Sequence, residues 1–194
     1  MPATRLQLAV IVGSTREGRF GDTVARWFAA QTATRPELLV DVIDVAELDL
    51  PATLSFDQTP ALHDYAERVD RADAFVVVTP EYNHSFPASL KHAIDLLRTP
   101  WQRKPVAFVS YGGLSGGLRA VEQLRLVFAE LYATTVRETV SFHGGARVFD
   151  DAGEPLDAAG AAAAAKVMLD DLVWWASALR TARDATVVDE PWEE

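Results

Sequence analysis

The chain has 194 residues, of which 49% are hydrophobic and 24% charged, enough to bury a sizeable core within a single domain spanning residues 1–194. Its formal charge of -10 argues against nucleic acid and anionic membranes as partners, because both need a cationic counterpart, so any bound anion has to be held by a local cluster. With no cysteine, disulfides, thiolate metal sites and thiol redox relays are excluded.

In chain order, the apolar run Leu6 to Val12 reads as a first strand; it is short for a signal sequence and ends in glycine without a small-residue cleavage pattern. Gly13-Ser-Thr-Arg-Glu-Gly18 follows, then a helix for which Asp22 or Thr23 is the expected cap and Val24, Trp27 and Phe28 the buried face. Leu38 to Asp44 is the second strand. The irregular stretch Leu50 to Pro60 is expected to lie over a crevice as a flap. A helix from Ala61 to about Arg71 leads to Ala74-Phe-Val-Val-Val-Thr79, a strand apolar or β-branched throughout and therefore expected to be fully buried. Pro87 suits the first turn of a helix over Ala88 to Leu97, on which Lys91 and Asp95 are spaced to pair. Val106 to Val109 is the fourth strand. Leu118, Val121, Leu124, Phe128 and Leu131 form one stripe of the next helix, and Thr134 to Phe142 is a β-branched fifth strand. A polar loop over Gly144 to Pro155 precedes a long Ala-rich helix from about Asp157 to Arg183; residues 184–194 are expected to form a loose acidic tail. The Ala-rich segment is interrupted by Lys166 and Asp170, so no stretch reaches membrane-spanning length and a cytoplasmic location is expected.

Strands alternating with helices indicate a three-layer α/β fold with a five-stranded parallel sheet, for which the order 2-1-3-4-5 is expected. In that order the first, third and fourth strands are neighbours, and the loops at their carboxyl ends converge on one crevice. The first loop matches half of a Mg-nucleotide phosphate loop, but Arg19 and Phe20 stand where Lys and Ser or Thr are needed. What remains is a glycine-permitted turn before a helix N-terminus, with donors from Ser14, Thr15, Arg16 and Arg19 suited to a phosphate monoester. Pro80-Glu-Tyr-Asn83 supplies an aromatic ring and amides for a flat, heteroatom-edged ligand, and Ser110-Tyr-Gly-Gly113 supplies an opposing side where backbone N–H groups can come close. The glycines after the fourth strand do not have dinucleotide-fingerprint spacing. His63, His92 and His143 lie on separate elements without metal-ligand spacing, so no metal site is expected.

Together, Gly13-Ser-Thr-Arg, Pro80-Glu-Tyr-Asn with Leu90-Lys91, and Ser110-Tyr-Gly-Gly resemble the NADPH-dependent FMN reductases of flavodoxin-like fold, which include quinone and azo-dye reductases. The resemblance implies FMN as cofactor and NADPH or NADH as co-substrate. It implies that Ser14, Arg16 and Arg19, with the Phe20 and Gly21 backbone, hold the FMN phosphate. Pro80, Glu81, Tyr82 and Asn83 would border the isoalloxazine, while Ser110, Tyr111, Gly112 and Gly113 line its other side, the last three at the pyrimidine edge. Many relatives carry a serine and an asparagine where this chain has Arg19 and Gly21, which makes the phosphate shell more dependent on arginine here. The flavin carries the hydride chemistry, so no dedicated acid or base is required; backbone donors near Asn83 and Gly112 would stabilise the reduced flavin. A ping-pong cycle with a quinone, free flavin or azo acceptor is expected, with His84, Phe86 and the stretch near Phe56 shaping acceptor choice; His84 could also protonate or orient the acceptor. Relatives are commonly dimers or tetramers, and Trp174, Trp175 and the off-stripe Leu126 are the candidates for a homodimer or homotetramer interface. A flavodoxin-type electron carrier, or a flavin-free binding protein of the same fold, are the alternatives.

Overall fold

The computed structural model describes residues 5–54 and 59–186. Strands β1 (Leu6–Val12), β2 (Leu38–Asp44), β3 (Ala74–Pro80), β4 (Pro105–Gly112) and β5 (Thr134–His143) alternate with helices α1 (Gly21–Thr32), α2 (Pro60–Arg71), α3 (Ala88–Asp95), α4 (Leu118–Glu130) and α5 (Ala158–Ala185). The strands pair in parallel in the order β2-β1-β3-β4-β5, as the sequence leads one to expect.

Two cores follow from the two-residue side-chain period of the strands. Leu8, Val10 and Val12 of β1 and Val76 and Val78 of β3 pack with Trp27 and Phe28 of α1 and with Met168, Leu169 and Leu172 of α5. Ala9, Ile11, Phe75 and Val77 point to the other face, against Leu62, Tyr65 and Val69 of α2, Leu90 and Ile94 of α3, and Leu124 and Phe128 of α4. Every residue of β3 is buried, which accounts for its apolar run from Ala74 to Val78.

Several boundaries differ from the sequence reading. Ser110, Tyr111 and Gly112 are part of β4, paired with β5, so the expected loop is shorter than its motif. Neither Asp22 nor Thr23 caps α1; its N-cap is Phe20 and no side chain closes that end. Helix α5 continues through Asp184 to Ala185, because nothing in its last turn breaks helical geometry before Thr186. The region after β5 is not plain loop: Gly145–Val148 form a 3-10 turn, and Phe149 bridges Pro155. Phe56 and the rest of the expected tail lie outside the described residues. No helix among the described residues is long and apolar enough to cross a membrane.

The amino-terminal edge of the sheet is closed by charge. Arg180 and Arg183 of α5 pair with Asp73 at 3.2 and 3.0 Å. Lys104 Nζ donates to the carbonyls of Val69 and Asp70 at the end of α2, at 3.1 and 2.6 Å, where a cation also complements the helix dipole. Burial pulls the Lys104 ammonium down to about 8. The charged form is therefore disfavoured by folding: the penalty is full below pH 8 and disappears as pH rises towards the ordinary lysine value of 10.5. Urea unfolding of the protein and of Lys104→Met should thus diverge in the protein's favour between those limits, by on the order of 3 kcal/mol. Parallel pH profiles for the two proteins would contradict this.

Candidate active site

The loops after β1, β3 and β4 meet at the carboxyl edge of the sheet. The first is drawn in from β1, where the Gly13 N–H donates to the Val78 carbonyl at 2.9 Å and Ser89 Oγ donates to the Gly13 carbonyl at 3.1 Å. A Cβ on Gly13 would stand 2.9 Å from Leu90 Cδ2, so α3 can approach only because this residue is glycine. From Ser14 to Gly18, no backbone N–H donates to another backbone group among the described residues, and a single Arg19 N–H to Arg16 C=O bond of 3.1 Å closes the turn. The loop runs directly into the uncapped end of α1. Open N–H groups plus the positive end of the helix dipole form a cradle for an anion.

The side chains around that cradle divide into two groups. Arg16 is exposed and makes no hydrogen bond or ion pair among the described residues. Arg19 is taken up within the protein: Nη1 donates to the Ser14 carbonyl and to Asp44 Oδ1, both at 2.6 Å, Nη2 to Asp44 Oδ2, and Nε lies 2.7 Å from Asp22. The Asp44 hydrogen bonds hold its guanidinium above the ordinary arginine value. Its visible role is to fasten the loop to the end of β2. Ser14 is fully buried, and its Oγ is 2.8 Å from the Tyr82 hydroxyl, which ties the first loop to the second.

In the second loop, the Tyr82 N–H donates to Ser85 C=O at 2.8 Å and the Ser85 N–H to Tyr82 C=O at 3.0 Å. Asn83 and His84 sit between them with φ of 49° and 72°, a left-handed pair at the tip of a tight turn. Both are exposed. Glu81 is committed to the third loop: its N–H donates to Tyr111 C=O at 3.1 Å, and its carboxylate accepts from Ser115 Oγ and from the Arg119 N–H at 3.3 Å. In the third loop Ser110 Oγ and Ser141 Oγ both donate to the Gly116 carbonyl, at 2.8 and 2.9 Å, leaving the N–H groups of Gly113 and Leu114 without backbone acceptors among the described residues. The ring of Tyr111 turns into the core against Phe20, with centroids 5.8 Å apart, and burial pushes its phenol above the ordinary tyrosine value. At Gly21 a Cβ would meet the Tyr111 hydroxyl at 2.9 Å.

The structure therefore brings Ser14, Arg16, Phe20, Gly21, Pro80, Tyr82, Asn83, Gly112 and Gly113 to one edge, and places Arg19, Glu81, Ser110 and Tyr111 in supporting contacts behind them. Asp44, Ser89, Ser115, Arg119, Gln123 and Ser141 hold these loops from behind and were not found by sequence reasoning. Only Arg119 and Gln123 carried a signal, a polar pair one helical turn apart beside the apolar stripe of α4. An open cleft of about 810 Å³ lies elsewhere, beside α2, lined by Gln7, Asp41, Arg68 and Arg71; the bidentate Arg68–Asp41 pair occupies its wall. No group of three or more His, Asp or Glu side chains placed to hold a metal occurs among the described residues.

Comparison with known proteins speaks to the family and the fold. The family model for NADPH-dependent FMN reductase matches residues 6–147. A quinone reductase of Pseudomonas putida is 34% identical over 157 residues, covering 76% of this chain and 83% of that protein. An NAD(P)H-dependent FMN reductase of Schizosaccharomyces pombe is 33% identical over 120 residues; the match takes in 57% of this chain and 60% of the yeast protein's length. Among solved structures, the flavoenzyme NAD(P)H:(acceptor) oxidoreductase FerB of Paracoccus denitrificans superposes with a TM-score of 0.73 at 23% identity, over 89% of this chain and 98% of that one, a likeness of fold. By the family match over most of its length, this chain belongs to the NADPH-dependent FMN reductase family.

Proposed function

We propose that this member of the FMN reductase family takes reducing equivalents from NADPH or NADH and passes two electrons to a quinone, free flavin or azo acceptor in a ping-pong cycle. The observation that carries the reading is the cradle at the start of α1: N–H groups over Ser14 to Gly18 that meet no backbone acceptor among the described residues, an uncapped helix end and an exposed Arg16. That donor set fits a phosphate monoester and asks for no metal, which is the polar end of FMN.

FMN, when bound, supplies a ring that accepts a hydride from nicotinamide and yields electrons to a second substrate. The residues of this chain bind and orient. Ser14, Arg16 and the Phe20 and Gly21 backbone would hold the phosphate, with Arg19 keeping their loop in place through Asp44. Pro80, Tyr82 and Asn83 would border one side of the ring; Gly112 and Gly113 would line its pyrimidine edge, where the Gly113 N–H would be the donor, held there by Glu81, Ser110 and Tyr111. No side chain is required to give or take a proton, so nicotinamide and acceptor can use one open position in turn. Leu126 and Trp174, 74% and 63% exposed, are the surfaces a homodimer or homotetramer would use.

Initial rates with varied nicotinamide at several fixed quinone concentrations are expected to give parallel double-reciprocal lines, because one site is emptied before it is refilled. Intersecting lines would reject the ping-pong order. FMN-loaded protein that oxidises neither nicotinamide would favour an electron carrier.

A further inference from the structure

The turn after β3 is held from the side by one face of α4. Gln123 Nε2 donates to the His84 carbonyl at 2.8 Å, and Ser85 Oγ donates to Gln123 Oε1 at 2.5 Å. One helical turn earlier, Arg119 Nε lies 3.3 Å from Glu81 Oε1, and Arg119 Nη1 lies 2.9 Å from His84 Nδ1. A guanidinium offers five donors and no acceptor, and it keeps its proton. At this contact the imidazole can only accept. An imidazole that accepts this bond carries its lone pair on Nδ1 and its one ring proton on Nε2. Asn83 and His84 hold consecutive left-handed conformations, which side-chain-bearing residues keep only where surrounding bonds enforce them. The two Tyr82–Ser85 backbone bonds and the Arg119–Gln123 staple are those bonds. The result is an exposed imidazole fixed at the tip of the turn, with Arg119 on its Nδ1 and an Nε2 that meets no hydrogen-bond partner among the described residues.

We infer that Arg119 is a positioning residue that fixes His84 as an Nε2–H donor to the carbonyl oxygen of a quinone-type acceptor at the mouth of the crevice. This rests on the proposed acceptor position between the three loops. The same turn joins the other two loops, through Tyr82 to Ser14 and through Glu81 to Ser115, so its tip stands beside whatever enters between them. A quinone oxygen gains negative charge as electrons arrive, and a preset N–H strengthens its bond to that oxygen without reorganising. His84 keeps its proton throughout.

Long-range proton–nitrogen spectra of the 15N-labelled holoprotein at about pH 8 read the tautomer directly. The expected pattern for His84 is an unprotonated Nδ1 and a protonated Nε2, giving way to averaged tautomers in Arg119→Met. In steady state, His84→Ala and Arg119→Met should raise the benzoquinone KM about three- to tenfold, the worth of one neutral hydrogen bond. Ferricyanide, which presents no carbonyl, should lose less than benzoquinone in both variants. His84→Gln should restore the benzoquinone KM, since its Oε1 can accept from Arg119 while its amide donates outward. A protonated Nδ1 in the unaltered protein, an unchanged benzoquinone KM in His84→Ala, or equal losses toward both acceptors with FMN still bound would each overturn the inference. If the unaltered protein bound no FMN and oxidised no nicotinamide, the proposed function would fail instead, and the spectra would still decide the tautomer.

Discussion

Gly117→Val is expected to lower stability by roughly 2–5 kcal/mol, combining left-handed strain with overpacking, and to release FMN at concentrations that saturate the unaltered protein. Gly117 is the residue before α4, with φ of 89°. A side chain resists that conformation, and a β-branched one most of all. Space is the second obstacle: a Cβ here would stand 2.6 Å from Ser110 Cβ and 2.9 Å from the Tyr111 nitrogen. Backbone cannot swing aside as a flexible side chain would, so the loop would lift from β4. Its supports would go with it, because the Gly116 carbonyl that receives Ser110 and Ser141 is the preceding peptide. Gly113 is the control. Nothing lies within 4 Å of a Cβ placed there, and its φ is outside the left-handed region, so Gly113→Ala should change stability by no more than about 1 kcal/mol. Urea midpoints compared at constant slope are the measurement. An unshifted midpoint for Gly117→Val would mean that the third loop does not close on β4 as described.

Arg16→Ala and Arg19→Ala should separate, one in binding and the other in stability. Arg16 makes no hydrogen bond or ion pair among the described residues, so its loss should leave the unfolding midpoint within about 0.5 kcal/mol. If it meets the FMN phosphate, the dissociation constant should rise about one to two decades, the equivalent of roughly 1.5–3 kcal/mol for a charge-assisted bond. Riboflavin, lacking the phosphate, should bind far more weakly and should not distinguish Arg16→Ala from the unaltered protein. Arg19→Ala removes the partner of Asp44, whose side chain is only 15% exposed. It should cost roughly 1–3 kcal/mol of stability, less than a fully buried pair because water still reaches both groups. Its effect on FMN should be the smaller one, passed on through the loop. Fluorescence titration with both flavins, alongside urea unfolding, reads all of this; an unchanged FMN constant in Arg16→Ala would remove the phosphate assignment.

Much of the architecture was legible because it depends on local patterns. A strand covered on both faces has to be apolar or β-branched along its length, and Ala74 to Thr79 is. The helices declared themselves by stripes such as Val121, Leu124 and Phe128, all fully buried. The strand order then fixed which three loops meet, so the positions of Ser14, Arg16, Tyr82 and Gly113 followed from topology. The cap of α1 was misread for a reason particular to this site. Asp22 has the residue type of a cap, yet it faces Arg19, and the end of the helix is left open where an anion would sit.

By itself, then, the sequence determined the sheet and the three loops, since burial periodicity and glycine-permitted turns act over a few residues, and the motifs in those loops carried the family resemblance. Only the tertiary structure decided what each polar side chain in those loops does. Arg19 reads as a phosphate ligand in the motif, and in the fold its guanidinium also pairs with Asp44, 25 positions on. Glu81 borders a ligand in the motif but clamps Ser115 in the fold. The ring of Tyr111 follows the pleat of β4 into the core, and Ser14 finds Tyr82 across 68 residues. A charged or hydroxyl group leaves water only for a specific partner, and in these loops most of the partners stand on other elements, where no local pattern of residues marks the pairing.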